Sequence, residues 1–448
     1  MTKKLMKLGA FFSLPGHHAV AWRHPDAKAE HLLSFDFIKE QALTAERGKL
    51  DMIFLSDGVA AGATSKAFEQ EASGGRFEPF TLLSGLAAVT KNIGLVGTVS
   101  TTYNEPFNLA RQFASLDHLS YGRAGWNVVT SGGKEAASNF GLKEEPLHAQ
   151  RYERAHEFVD VVKQLWDSWE DDAIVFNQEA GQYADASKVH TLNYEGKYLS
   201  VGGPLNIARP VQGHPVVVQA GSSEAGKELA ARTAEVIFTA WQTLEEAQDF
   251  YRDVKGRMAK YGRNPDELKI MPGVYPIVGQ TLEEAEAKRQ QLLDFIPESL
   301  GVARLSRQFN IDLSGYPLDG PLPELPDISQ INGIKSRFQL VKDLAERENL
   351  TIRQLYQNIA GARGHREIIG TPEQIADQLQ EWFDHGAADG FNIMPPVFPT
   401  GLNDFVDYVI PELQKRGLFR EEYTGTTLRE NLELKRPENQ FSKEIAVL

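Results

Sequence analysis

The residues best suited to chemistry stand directly behind short apolar runs. His17 and His18 sit in tandem in SLPGHHAVAWRHP, Asp57 ends IFLSD, and Thr98 ends LVGT. Ser131 and Gly132 follow WNVVT, and Ser222 and Ser223 follow VVVQAG. The chain has no cysteine, which excludes disulfides, thiol nucleophiles, iron–sulfur ligation and thiolate zinc sites. Chemistry here falls to His, Asp, Ser, Tyr, Arg or a cofactor. The serine pair opens a helical pattern, and the free N–H groups of a helix start with two hydroxyls make an anion pocket suited to a phosphate. The competing reading is that Ser222 or Ser223 merely caps the helix. His148 and Tyr152, four residues apart, share one helix face and can both donate to a phosphate or a ring edge; a surface histidine beside a core tyrosine fits the same spacing. Asp57, in SDG, is equally a turn former. Adjacent side chains such as His17 and His18 diverge, whereas two ligands on one strand face the same way at a spacing of two. HEFVD at 156–160 is not an H-E-x-x-H site. A metal-dependent hydrolase is therefore an alternative only, no metal site is predicted, and His118 reads as a structural histidine near a helix end.

The elements that must position these residues alternate. Strands are predicted at 5–12, 51–55, 93–99, 124–130, 216–219, 236–238, 269–279 and 390–394, because each run is apolar and too short for an ordinary helix. Helical periodicity falls between them, at 34–49, 79–90, from Pro106 to Gly122, at 149–169, 223–233, 243–260, from 281, at 372–386 and at 401–417. Parallel neighbours require such crossovers. Eight units predict an α/β fold of the (β/α)8 barrel kind, a single domain over 1–448. Two insertions interrupt it, at about 170–212 with hairpin strands and at about 297–335 with the Pro-rich YPLDGPLPELP, a lid or a subunit arm. Residues 418–448 read as a tail over the surface or at a subunit interface. An open doubly wound sheet is the alternative architecture, but its glycine-rich first turn is missing. In a barrel, residues that follow the strands converge on one mouth, and that rule gathers the candidates above.

Composition narrows the class. A chain of 448 residues with 42% apolar content can bury a large core, and a net charge of −14 without a basic stripe argues against nucleic acid. The N-terminal MTKKLMKLGAFF has a signal-like start but is broken by Pro15 and Gly16. No run approaches the roughly 20 apolar residues of a membrane helix. A cytoplasmic enzyme is expected.

Taken together, GHH with WRHP (16–25), IFLSDG, GTVSTTY, ARQFASLDHLSYGRAGWNVVTS, HAQRYERA, VVVQAGSSEAG and the closing GTPEQIADQL with IPELQKRGLFR resemble one family. It is the branch of the bacterial luciferase-like flavin monooxygenases that holds nitrilotriacetate monooxygenase component A and the dibenzothiophene sulfone monooxygenases. The resemblance runs nearly end to end. It implies a monooxygenase that binds reduced FMN supplied by a separate NAD(P)H:FMN reductase and transfers oxygen to a small organic substrate. It also implies flavin contacts at Asp57, Thr98, Ser131, Gly132, His148, Tyr152, Ser222 and Ser223, catalytic groups at His17 and His18, and a homodimer or homotetramer. Asp57 and Thr98 would lie near the ring system, and the last four at the phosphate. Long-chain alkane oxidisers carry a histidine where this chain has Gly132, which points away from alkanes. Arg23 and Arg76 at the expected mouth favour a carboxylated amine or thioether. A flavin-binding protein without catalysis is a further alternative. His17 is expected to hydrogen-bond the reacting oxygen or move a proton.

Overall fold

The structure, a computed structural model, describes residues 4–61, 68–72, 75–328 and 335–442. In chain order its main strands are β1 (Lys7–Phe12), β2 (Met52–Leu55), β3 (Gly94–Ser100), β4 (Ala124–Val129), β5 (Val216–Gln219), β6 (Val236–Thr239), β7 (Lys269–Val278), β8 (Arg366–Gly370) and β9 (Gly390–Ile393). All nine pair in parallel, and β1 to β7 with β9 form a ring that closes where Lys7 faces Gly390. The chain is a (β/α)8 barrel. The eight expected strands are the eight of the ring. β1 and β7 are buried at every position, as strands covered on both faces must be, so they read as continuous apolar runs. β8 was not anticipated. It adds to the C-terminal half of β7, from Val274 beside Arg366 to Val278 beside Gly370, and its short, charged REIIG carries no clear pattern.

The helices are α1 (Phe35–Arg47), α2 (Pro79–Val89), α3 (Pro106–Leu119), α4 (His148–Asp167), α5 (Glu224–Thr233), α6 (Leu244–Arg257), α7 (Leu282–Asp294), α8 (Glu298–Phe309), α9 (Lys335–Glu348), α10 (Ile352–Ala362) and α11 (Pro372–Asp384). Proline occupies the first turn of α2, α3 and α11, where its missing N–H has no partner to lose. The last predicted helix runs from Thr400 to Lys415 but widens over Phe405–Val409, where Pro411 cannot donate back to the preceding turn.

Two apolar layers lie on either side of the sheet. Inside the ring, Phe11 meets Phe54 and Phe238 edge-on at 5.0 and 5.4 Å between centroids. Outside, Trp126 packs against Phe113, Phe158 and Trp166 under α3 and α4.

The first insertion holds two small hairpins, Ile174–Asn177 with Gln182–Ala184 and Tyr194–Glu195 with Ser200–Val201. The second is more helical than its prolines suggest. α8, α9 and α10 build a core of their own around Phe309, Phe338, Leu355 and Tyr356, while 316–326 is irregular apart from one bridge, Pro321 with Thr351. The expected surface tail is instead a plug beneath the barrel. Leu428 and Leu432 join the inner core, and a Cβ on Gly94 would lie 2.4 Å from Leu428, so only glycine admits that contact. Arg420 pairs with Asp51, Arg429 with Glu235, and Lys7 with Glu433 at 2.7 Å. Parts of the glycine-rich loop after β2 (62–67 and 73–74), of the second insertion (329–334) and of the tail (443–448) lie outside the described residues. Among the described residues no helix is long and apolar enough to cross a membrane.

Candidate active site

At the C-terminal ends of the strands the barrel opens into a cavity of about 590 Å³, within the range of small-molecule and cofactor sites. The loop after β2 supplies Asp57 to Ala60, that after β4 supplies Thr130 to Gly133, and that after β5 supplies Ala220 to Ser223. The first turn of α4 adds His148, Arg151 and Tyr152. Seven expected site residues therefore share one space: Asp57, Ser131, Gly132, His148, Tyr152, Ser222 and Ser223.

One end of the cavity is built for an anion. It lies at the N-terminus of α5, where the Ser223 hydroxyl accepts from Gly226 N at 3.2 Å, so the capping reading holds for Ser223 and the remaining N–H groups of the turn keep their positive bias. The rings of His148 and Tyr152 lie 4.8 Å apart across one helix turn, and the Tyr152 hydroxyl is 3.4 Å from where a Cβ on Gly221 would stand. Arg151, between them in the chain, is buried and donates to Glu145 Oε1 and Pro146 O, each at 2.7 Å. Arg151 was missed in the sequence, although an arginine in the first turn of HAQRYERA is itself an anion signal. The same ion pair explains Gly132: a Cβ there would come within 2.4 Å of Glu145 and 3.0 Å of Arg151.

The same cavity is lined by Asp57, whose carboxylate accepts from Gly58 N at 2.8 Å. Burial pushes its pKa up against that hydrogen bond, with Glu78 adding to the rise and Arg76 opposing it. Gln219 forms part of the wall, and its Oε1 is buried without a protein partner.

Three expected residues lie elsewhere. Thr98 does not line the cavity: its hydroxyl donates to Leu55 O at 2.7 Å and accepts from Asn127 Nδ2 at 2.8 Å. It ties β2, β3 and β4 together and leaves the inward Asn127 Oδ1 without a protein partner. His17 and His18 are buried behind β1, held by His17 N to Pro395 O at 3.0 Å and Ala19 N to Ala360 O at 2.8 Å. His17 Nε2 lies 2.9 Å from Phe11 O, so in the neutral ring Nε2 carries the proton and Nδ1, which has no protein partner, is an acceptor. His18 is the reverse: Nδ1 accepts from Val20 N at 3.4 Å and Nε2 is the unpartnered donor. Burial first, then Arg363 for His17 and Arg304 with Arg363 for His18, lowers both pKa values to about 3. The resting ring of His17 is therefore neutral, with Nδ1 as its acceptor. Arg23 is also misplaced: it is exposed and lies on Phe295, donating to that residue's carbonyl.

His118 Nε2 lies 3.3 Å from Ala208 O. Among the described residues no three His, Asp or Glu side chains gather as a metal site would require, and the two neighbouring histidines turn to different partners.

A profile of the luciferase-like monooxygenases matches residues 11–389. The chain belongs to that family. This monooxygenase is 56% identical to the N-acetyl-S-(2-succino)cysteine monooxygenase of Bacillus subtilis (strain 168), over 98% of its own length and 99% of that protein. It is 52% identical to nitrilotriacetate monooxygenase component A of Aminobacter aminovorans, over 98% and 99%. Among solved structures it is similar to riboflavin lyase with modified FMN and riboflavin, at 31% identity and a TM-score of 0.84 over 96% of each chain. The resemblance carried by WNVVTS and QAGSSE thus holds, and the chain is a flavin-dependent oxidoreductase of the nitrilotriacetate monooxygenase branch.

Proposed function

We propose that this monooxygenase is the oxygenating component of a two-component system in the cytoplasm. It binds reduced FMN delivered by a separate NAD(P)H:FMN reductase and oxygenates a small carboxylated amine or thioether. The observation that carries this reading is the gathering of Ser222, Ser223, His148, Tyr152 and Arg151 around one cavity that Asp57 also lines. Donors and positive charge at the α5 terminus suit a phosphate, and the buried acceptor of Gln219 suits a ring N–H. Val128 and Val129 of β4 add apolar lining to the same cavity. Bound reduced FMN supplies the electrons and activates dioxygen; the chain's part is to hold, orient and shield. His17, with Nδ1 as its acceptor, would hydrogen-bond the reacting oxygen or move a proton. Thr98 acts by fixing Asn127 in the inner wall.

No G-x-G-x-x-G stands between a strand and a helix, in keeping with electrons that arrive on diffusing flavin. Two relatives that share more than half of this sequence are named for nitrilotriacetate and N-acetyl-S-(2-succino)cysteine, an amine and a thioether with carboxylate arms, and we assign this chain a substrate of that kind. With an NADH-dependent FMN reductase, FMN and air, either compound should be consumed only when this chain is present, with one product oxygen drawn from labelled dioxygen. Consumption that needs no flavin, or product without the label, contradicts the assignment. We also propose a homodimer or homotetramer, which a mass measured by light scattering checks.

A further inference from the structure

A second, smaller cavity of about 160 Å³ lies against the loop after β1, lined by Arg76, Arg304, Arg307 and Arg363 together with His18, Trp22 and Glu71. The arginines come from three distant places: the loop after β2, the helix α8, and the residue that caps the end of α10. Among the described residues that line it, Glu71 is the one carboxylate against four guanidinium groups. Glu71 stands 3.5 Å from Arg304 and 3.6 Å from Arg307, farther than the roughly 2.7–2.9 Å of a forked guanidinium–carboxylate pair. Its Oε1 makes no hydrogen bond. The Arg304 and Glu71 side chains are only 16% and 10% exposed, while Arg76, Arg307 and Arg363 are exposed, so an anion in this cavity would meet one sheltered guanidinium and three that keep contact with water. The neutral His18 ring reports the same field, since Arg304 and Arg363 act on it after burial. Arg76, which lines the small cavity, acts on the charge of Asp57, which lines the large one, and both stand in the loop after β2. The volume of the small cavity is that of on the order of five waters, room for carboxylate groups and too little for a flavin.

We propose that this cavity is the carboxylate subsite of the substrate, holding two carboxylate arms of a small di- or tricarboxylate so that its nitrogen or sulfur reaches toward the Asp57 side of the large cavity. The orientation rests on reading the large cavity as the flavin site; the binding does not. Arg304, Arg307 and Arg363 had no local signal in the sequence, because only the packing of α8 and α10 over the barrel brings them together.

The test is a titration of nitrilotriacetate into the flavin-free chain, followed by calorimetry and by tryptophan fluorescence with Trp22→Phe as control. The uncharged trimethyl ester is titrated in parallel, and FMN separately. Arg304→Gln probes the interior, and Arg76→Gln, at an exposed position, guards against a variant that fails to fold. Expected are binding of the tri-acid that weakens with salt, no binding of the ester, and roughly tenfold or greater loss in each variant with FMN affinity unchanged. Turnover should show a raised KM with little change in kcat. Equal binding of ester and acid, unchanged acid affinity in both variants, or no response of the wild type at millimolar acid would overturn the subsite. Intact acid binding in a chain that fails to bind FMN would support it and remove the flavin reading instead.

Discussion

At position 132 the backbone passes so close to the Glu145–Arg151 pair that a methyl group has no place, and that pair fixes a guanidinium beside Tyr152 at the anion end of the cavity. Tyr152 offers its hydroxyl to the same end. Tyr152→Phe removes one donor and little packing, so FMN affinity should fall about fivefold to tenfold with unchanged denaturation, as measured by flavin fluorescence; wild-type affinity would remove the hydroxyl from the phosphate site. His17 and His18 set a different expectation. Burial and the nearby arginines lower both from 6.5 to about 3, so the folded rings stay neutral while the unfolded chain takes up protons. Stability is then full above about pH 6.5 and falls as pH drops toward 3, by about 2 kcal/mol per ring at pH 5. Denaturant melts at pH 7.5 and 5 should show His17→Asn losing about one proton of that dependence; an identical slope would mean that the ring is not shielded. Serines, the histidine–tyrosine pair and Asp57 were legible because each follows a strand or opens a helix. The neutral state of His17, the place of Thr98 behind Asn127 and the role of Arg151 were not, since burial and partners are tertiary facts.

Two helix starts and one terminal segment do most of the positioning. α4 and α5 direct their first turns at the same space, and their periodicity and caps are local, which is why both were visible in the sequence. The terminal segment was not, because its polar composition hides the residues that it buries. Arg429 donates to Glu235, to His214 O at 2.9 Å and to Lys435 O at 3.0 Å. Burial acts against the Glu235 charge, but Arg429 and Lys163 bring its pKa down to about 2. Arg429→Ala should therefore destabilise the fold by about 3–5 kcal/mol. Part of the wild-type advantage, present above pH 4.5, should fade as pH falls toward 2. Lys49→Ala removes an exposed pair with Glu422 and should change stability by about 1 kcal/mol or less. Equal losses in the two variants, read from urea midpoints, would deny the segment its role as a plug.

For the molecule as a whole, alternation of strand and helix was enough to specify a closed barrel, since strands covered on both faces announce themselves. What alternation does not show is how excursions from the ring meet over its mouth. α8 and α10 carry arginines to the loop after β1, while the residues of the large cavity come from β2, β4, β5 and α4, and these contacts join residues far apart in the chain. The proposed division of labour, a cofactor chamber and a separate cationic subsite, is the property on which the functional account stands. A crystal structure of the chain soaked with FMN tests it most directly. The account predicts the phosphate within hydrogen-bond reach of Ser222, Ser223 and Tyr152, with the ring extending toward Asp57. A flavin bound with its phosphate elsewhere, or its ring outside this chamber, would contradict it.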